Sequence, residues 1–167
     1  APDFDEQALA TRASRNNSYL SVTVTFRATS REQLDALYRD LGDWGGLATT
    51  LAGLGMAACS LGEDQAARQY FHDALQTALD AQLVPLVLSI TIGIGELLML
   101  TGKREQGIEL TALAFYHAAS DHETKARAQH VLTHYEVVPE TLAETAQRVD
   151  FDAVTSALLD ELTITPE

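Results

Sequence analysis

The sequence repeats itself at an interval of forty residues, and that period constrains the fold more than any other feature. Leu54–Leu75 reads LGMAACSLGEDQAARQYFHDAL, and Ile94–Phe115 reads IGELLMLTGKREQGIELTALAF. Gly55, Gly62 and Ala74 of the first copy meet Gly95, Gly102 and Ala114 of the second at the same offset. Each copy carries apolar residues at helical spacing on both sides of a central glycine, so each reads as two antiparallel helices joined by a short turn. A helix pair of this length cannot bury its own apolar face and must stack on neighbours, which is the logic of a solenoid. The expected fold is all-α, a right-handed solenoid of helical hairpins with short closing helices at its C-terminal end. Leu54, Gly55, Gly62, Ala67, Phe71, Ala74, Gly95, Gly102 and Ala114 are its close-packing and turning points.

Caps and breakers place the elements. Ser30 and Gln33 make a capping box ahead of Leu34, Leu37, Tyr38 and Leu41, and Gly42-Asp43 stops that helix. The next runs from about Trp44 to Ser60, with Leu47, Leu51, Leu54, Ala58 and Leu61 inward, until Gly62 ends it. Glu63 and Asp64 open a third at the positive end of its dipole, burying Ala67, Phe71, Ala74, Leu75 and Ala78. Pro85 suits the first position of a helix reaching about Thr101, whose partner covers about Arg104 to Ala119. Asp121 caps a helix over His122–Tyr135, Val138-Pro139 breaks it, and Glu140–Arg148 and Phe151–Leu162 read as two closing helices. The organisation is therefore an N-terminal segment of weak helices (1–30), repeats (31–135) and capping helices (136–167). Tyr19–Phe26, YLSVTVTF, alternates like a strand. A lone strand in a helical chain has no partner for its backbone groups, so a helix is expected there too.

Charge excludes some partners. With 11 Lys and Arg against 24 Asp and Glu, the net charge is −13, which disfavours direct contact with a nucleic-acid backbone or an anionic membrane. No run reaches the ~18 uninterrupted apolar residues of a membrane span. The nearest, Leu83–Leu100, is broken by Pro85, Gly93, Gly95 and Glu96 and suits a buried helix. The single cysteine, Cys59, lies in the apolar run MAACSL and reads as an inert buried thiol in a reducing, cytoplasmic setting. The chain opens APDFDEQ, without Met or a signal-peptide pattern, as a processed product or an excised piece would.

Chemistry-bearing residues do not assemble into a catalytic, cofactor or metal site, and an enzyme is not expected. His130 and His134 are four apart on a helix, but HVLTH lacks the internal Glu of a zinc protease. Glu63, Asp64, Asp73 and Asp80 read as solvated carboxylates, and Gly93-Ile94-Gly95 as a site of close helix packing rather than a phosphate loop. Phe71 and Phe115 read as core. The first helix of each pair would line the concave side of a solenoid. Its candidate groove residues are Trp44, Thr50, Gly53, Met56, Ser89 and Glu96, flanked by Thr49 and Thr91.

Leu54-Gly55, Gly62, Ala67, Phe71 and Ala74 resemble the tetratricopeptide pattern at its leucine–glycine, turn-glycine, alanine, phenylalanine and alanine positions. The second copy keeps Ile94-Gly95, Gly102 and Ala114 but has Gly107 and Thr111 in place of alanine and phenylalanine. Tyr38–Leu162 is also similar to the C-terminal repeats of large bacterial transcriptional regulators, of the LuxR type with an ATPase module or of the SARP type. That resemblance implies a sensor or interaction arm whose partner is protein: another domain of the same chain, a second subunit or an effector. The uncapped N-terminal end is expected to stack on a missing repeat or on a symmetry mate, the latter giving a homodimer. The alternatives are a free-standing adaptor, or an inducer-sensing module whose pocket is lined by Trp44, Thr50, Ser89 and Glu96.

Overall fold

The computed structural model describes residues 9–13, 20–24, 30–143, 146 and 149–163. The chain divides into two compact units, Ala1–Leu37 and Tyr38–Glu167.

In the first unit β1 (Leu9–Ala13) pairs antiparallel with β2 (Leu20–Val24), Leu9 opposite Val24 and Ala13 opposite Leu20. This corrects two expectations, helices within residues 1–30 and a helix over Tyr19–Phe26. Tyr19, Thr25 and Phe26 themselves lie outside the described residues. The case against a strand was the want of a partner, and LATRA supplies one, so the β propensity of LSVTV prevails. Helix α1 (Arg31–Leu41) begins as read, with Gln33 N donating to Ser30 Oγ at 3.3 Å. Of its apolar stripe, Leu37 and Tyr38 are half-buried, while the side chains of Leu34 and Leu41 lie outside the described ones.

The second unit holds α2 (Trp44–Leu61), α3 (Asp64–Asp80), α4 (Val84–Leu100), α5 (Arg104–Tyr116) and α6 (His122–His134). A 3₁₀ turn (Pro139–Leu142) and α7 (Phe151–Leu162) follow. Every element among its described residues is helical, as the repeat requires. Its turns fall every twenty residues: Gly42 (φ 68°), Gly62 (φ 72°), Gln82 (φ 55°) and Gly102 (φ 91°) are all left-handed. Glu63 N donates to Ala58 O at 2.9 Å, Leu83 N to Ala78 O at 2.9 Å and Lys103 N to Leu98 O at 2.8 Å. These six-to-one bonds satisfy carbonyls that a helix end leaves open. Gln82 thus does a glycine's work in the middle of the series.

Two boundaries differ from the reading. Helix α5 stops at Tyr116, not Ala119, because the chain turns extended at His117 and Ser120 Oγ donates back to the Ala114 carbonyl. The expected Glu140–Arg148 helix is a 3₁₀ turn at its start, closed by Thr141 N to Val138 O at 3.1 Å after Pro139 has fixed its own φ, while Ala143 and Ala146 beyond it are helical as read. Glu144, Thr145, Gln147 and Arg148 lie outside the described residues.

Helix α4 sits at the centre. Its Val87, Ile90, Ile94, Leu97 and Leu98 join α2, α3 and the α7 residues Leu158 and Leu162 in one core. Its Leu88, Ile92 and Met99 join Ile108, Ala128, Val131 and Leu132 in a second. Burial on both sides is why Leu83–Leu100 is apolar all round. Helix α2, at 18 residues, is long and apolar enough to cross a membrane, contrary to the sequence reading. Its Leu47, Ala48, Leu51 and Ala58 nevertheless belong to the first core. Leu61, expected inward, is 73% exposed at the last residue of α2, and Leu54 lies half-buried at the edge of the inner face.

The matched glycines mark two different crossings. A Cβ on Gly55 would lie 2.9 Å from the Phe71 ring, and one on Gly93 would lie 2.7 Å from it, so the ring is seated between α2 and α4. In the second pair a Cβ on Gly95 would lie 2.6 Å from Thr111 Oγ1 and 2.8 Å from Gly107 O. Gly107 and Thr111, which replace alanine and phenylalanine there, let α4 and α5 meet backbone to backbone. Phe115, expected as core, is half-buried against the second cluster.

Candidate functional site

The leading helix of each pair faces one cleft of about 220 Å³. Helix α2 contributes Thr49, Ala52, Gly53 and Met56, and α4 contributes Leu86, Ser89, Ile90 and Gly93. Both sets follow the i, i+3, i+4, i+7 spacing of a single helix face. Phe71, fully buried, reaches the floor from α3 because Gly55 and Gly93 carry no side chain. Arg127 of α6 closes the set and is the one charged residue lining the cleft among the described residues.

Arg127 Nη2 donates to Met56 Sδ at 3.3 Å and to Glu96 Oε2 at 3.4 Å. Glu96 is not part of the lining but pairs with Arg127, its side chain 25% exposed. Burial, then the charges of Glu96 and Asp64, push the Cys59 thiol up to about 11. The thiol, half-buried rather than buried as expected, is therefore protonated at neutral pH. Burial and the Glu96 charge also raise the Tyr135 phenol, against a smaller opposite effect of Arg104.

Of the groove residues read from the sequence, Gly53, Met56 and Ser89 line the cleft and Glu96 reaches it through Arg127. Trp44 does not line it. It is 42% exposed, as the first residue of α2. Thr50 faces elsewhere, bonding Tyr38 Oη at 3.1 Å and Gly46 O at 2.9 Å. Thr91 is buried and donates to Val87 O at 2.8 Å. Arg127 was missed, although it lies three residues after buried Thr124 and four before buried Val131, which sets it on the inner face of α6. Asp73 and Asp80 accept from Gln69 and Gln76 one turn earlier on α3. His130 and His134 are exposed, and no three His, Cys, Asp or Glu groups converge as metal ligands among the described residues.

A family model described as Protein of unknown function (DUF493) matches residues 1–51. Relatives named UPF0250 protein match over short stretches. The Nitrosomonas europaea protein is 60% identical over 43 residues, 26% of this chain and 49% of the relative. That of Janthinobacterium sp. (strain Marseille) is 60% identical over 40 residues, 24% of this chain and 44% of the relative. That of Bordetella pertussis is 55% identical over 40 residues, with the same coverage. The chain therefore spans less than half the length of these curated relatives. No solved structure matches. These findings overturn the resemblance to tetratricopeptide arms of LuxR-type or SARP-type regulators: the similarity that registers is to a family of another kind, at the other end of the chain. The error arose because glycine and alanine at helical-hairpin spacing report close packing, which unrelated helical proteins share. Among the described residues, Thr49 is the one within 1–51 that lines the cleft.

Proposed function

We propose that the Tyr38–Glu167 unit binds protein, as a short right-handed solenoid of helical hairpins whose leading helices receive a segment of another polypeptide. The observation that carries this reading is the pair of equivalent stripes on α2 and α4, which border one mild cleft with the Phe71 ring buried beneath it. Stacked hairpins bind extended or helical segments on such a surface. The cleft's volume of about 220 Å³ is below the roughly 300–1,000 Å³ that encloses a small-molecule ligand. That favours one or two anchoring side chains over an inducer. Burial and neighbouring carboxylates move the Cys59 thiol away from reactivity as a nucleophile. The partner is another domain of the same polypeptide, a second subunit or a separate effector, and the lone free thiol fits the cytoplasm.

Selection of short random peptides displayed on phage tests this. Gly53 has open space around its Cβ position, so Gly53→Trp fills the cleft without disturbing the helices. Enriched peptides that lose binding to a folded Gly53→Trp variant support the reading. No enrichment, or equal binding to the variant, overturns it.

A further inference from the structure

Resting on that reading, we propose that Met56 is a redox modification site: a hydroperoxide converts its thioether to the sulfoxide, and the polar cleft wall that results releases the bound segment. The sulfur atoms of the chain are those of one cysteine, Cys59, and two methionines, Met56 and Met99. The structure gives each a different susceptibility. Met99 is 7% exposed, inside the second core. Cys59 is half-buried with its thiol held protonated, whereas the thiolate is the form that peroxides oxidise. Met56 is half-buried on the wall of the cleft. A thioether has no proton to lose, so its oxidation needs only access.

Arg127 gives this sulfur a direction. Its Nη2 donates to Met56 Sδ at 3.3 Å and to Glu96 Oε2 at 3.4 Å. A thioether sulfur carries two lone pairs, and oxidation at one or the other gives the two sulfoxide epimers. The guanidinium occupies one lone pair, so the oxygen arrives on the other and a single epimer forms. In that step the free lone pair attacks the outer peroxide oxygen, the S–O bond forms and the O–O bond breaks. The departing oxygen takes up the proton and leaves as water or an alcohol. Sulfur gives up two electrons and the peroxide gains them. The sulfoxide oxygen is a stronger acceptor than the thioether, so it draws Arg127 away from Glu96. A dipole then stands in a wall that Ala52, Leu86 and Ile90 otherwise keep apolar.

Peptide mapping by mass spectrometry, after hydrogen peroxide treatment of the full chain, tests this together with reductases each specific for one sulfoxide epimer. Met56 should oxidise more than about tenfold faster than Met99. One reductase alone should restore nearly all of the Met56 sulfoxide. Arg127→Gln, and the chain oxidised in urea, should need both. The phage-selected peptides should bind the oxidised chain about tenfold more weakly, and reduction should restore them. Met56 oxidising no faster than Met99 overturns the site. Equal epimers from the folded chain, or a single epimer that persists in Arg127→Gln, overturn the part given to Arg127. Selective oxidation with unchanged peptide binding removes the regulation and leaves the protein-binding reading standing. If no peptide binds the unoxidised chain, that reading fails and the regulation fails with it.

Discussion

Replacing Gly107 by alanine puts one methyl group between α4 and α5. It would lie 2.4 Å from Gly95 O, 2.6 Å from Met99 Cγ and 3.1 Å from Met99 N. The Met99 side chain can swing aside, but the Gly95 carbonyl belongs to a buried helix and moves only with it. Relief to an ordinary 3.4 Å contact needs a displacement of about 1 Å across an interface that also holds the Thr111 Oγ1 to Gly107 O bond of 2.8 Å. Overpacking of this kind costs about 1–3 kcal/mol, while the better helix propensity of alanine returns about 1 kcal/mol. A net loss of up to about 2 kcal/mol is expected. Gly53→Ala is the matched control, since nothing lies within 4 Å of its Cβ position. There the propensity gain stands alone, about 0.5–1 kcal/mol of added stability. Urea unfolding followed by circular dichroism at 222 nm should therefore move the two midpoints in opposite directions with an unchanged slope. If Gly107→Ala stabilises as much as Gly53→Ala, the close crossing of α4 and α5 is wrong, and with it the account of why the second repeat carries Gly107 and Thr111.

Phe71→Ala removes a fully buried ring seated between two helices and should cost about 3–5 kcal/mol in the same assay; a loss under about 1 kcal/mol would mean that the ring is not the wedge between α2 and α4. Gln82→Gly relieves a left-handed residue at φ 55° and should stabilise by about 0.5–1 kcal/mol, an expectation that any measured destabilisation refutes. Cys59, its thiol pushed up to about 11, should react with iodoacetamide at pH 8 more than ~100-fold slower than free cysteine, and labelling as fast as the free amino acid would contradict this. Burial alone would raise the Glu161 carboxyl, but hydrogen bonds from Lys103 and Gln106 outweigh it and hold it below its usual value. A depressed carboxylate adds stability that is complete above its unfolded pKa and lost as pH falls through the folded one. Glu161→Gln should therefore cost about 0.2–1 kcal/mol at pH 7 and nothing in strong acid, and a penalty that persists in acid would rule out the ionic tie.

The cleft was half legible in the sequence. Gly53, Met56 and Ser89 could be read because they share one face of helices whose inner face was already known. Trp44 was misassigned because aromatic character was taken for a role, whereas its place at the first residue of α2 decides its exposure. Arg127 stands 71 residues from Met56 and 31 from Glu96, and no local pattern announces which cation will close a cleft formed by other helices.

By itself the sequence determined the rhythm of the second unit. A glycine that can turn left-handed, an acidic cap and an apolar face at helical spacing act within a few residues of one another, so Gly42, Gly62 and Gly102 were readable as turns. Gln82 was not, because its left-handed backbone is imposed by the packing of α3 and α4 on either side rather than by its own preference. The partner of LSVTV was likewise hidden, since LATRA carries little β propensity of its own and becomes a strand through backbone bonds to β2. Tertiary structure alone decided that pairing, the backbone contact of Gly95 with Gly107, and the closing of the cleft by Arg127. Each of these depends on atoms brought together by the whole chain's packing, and a linear pattern carries only what neighbours within a turn or two enforce.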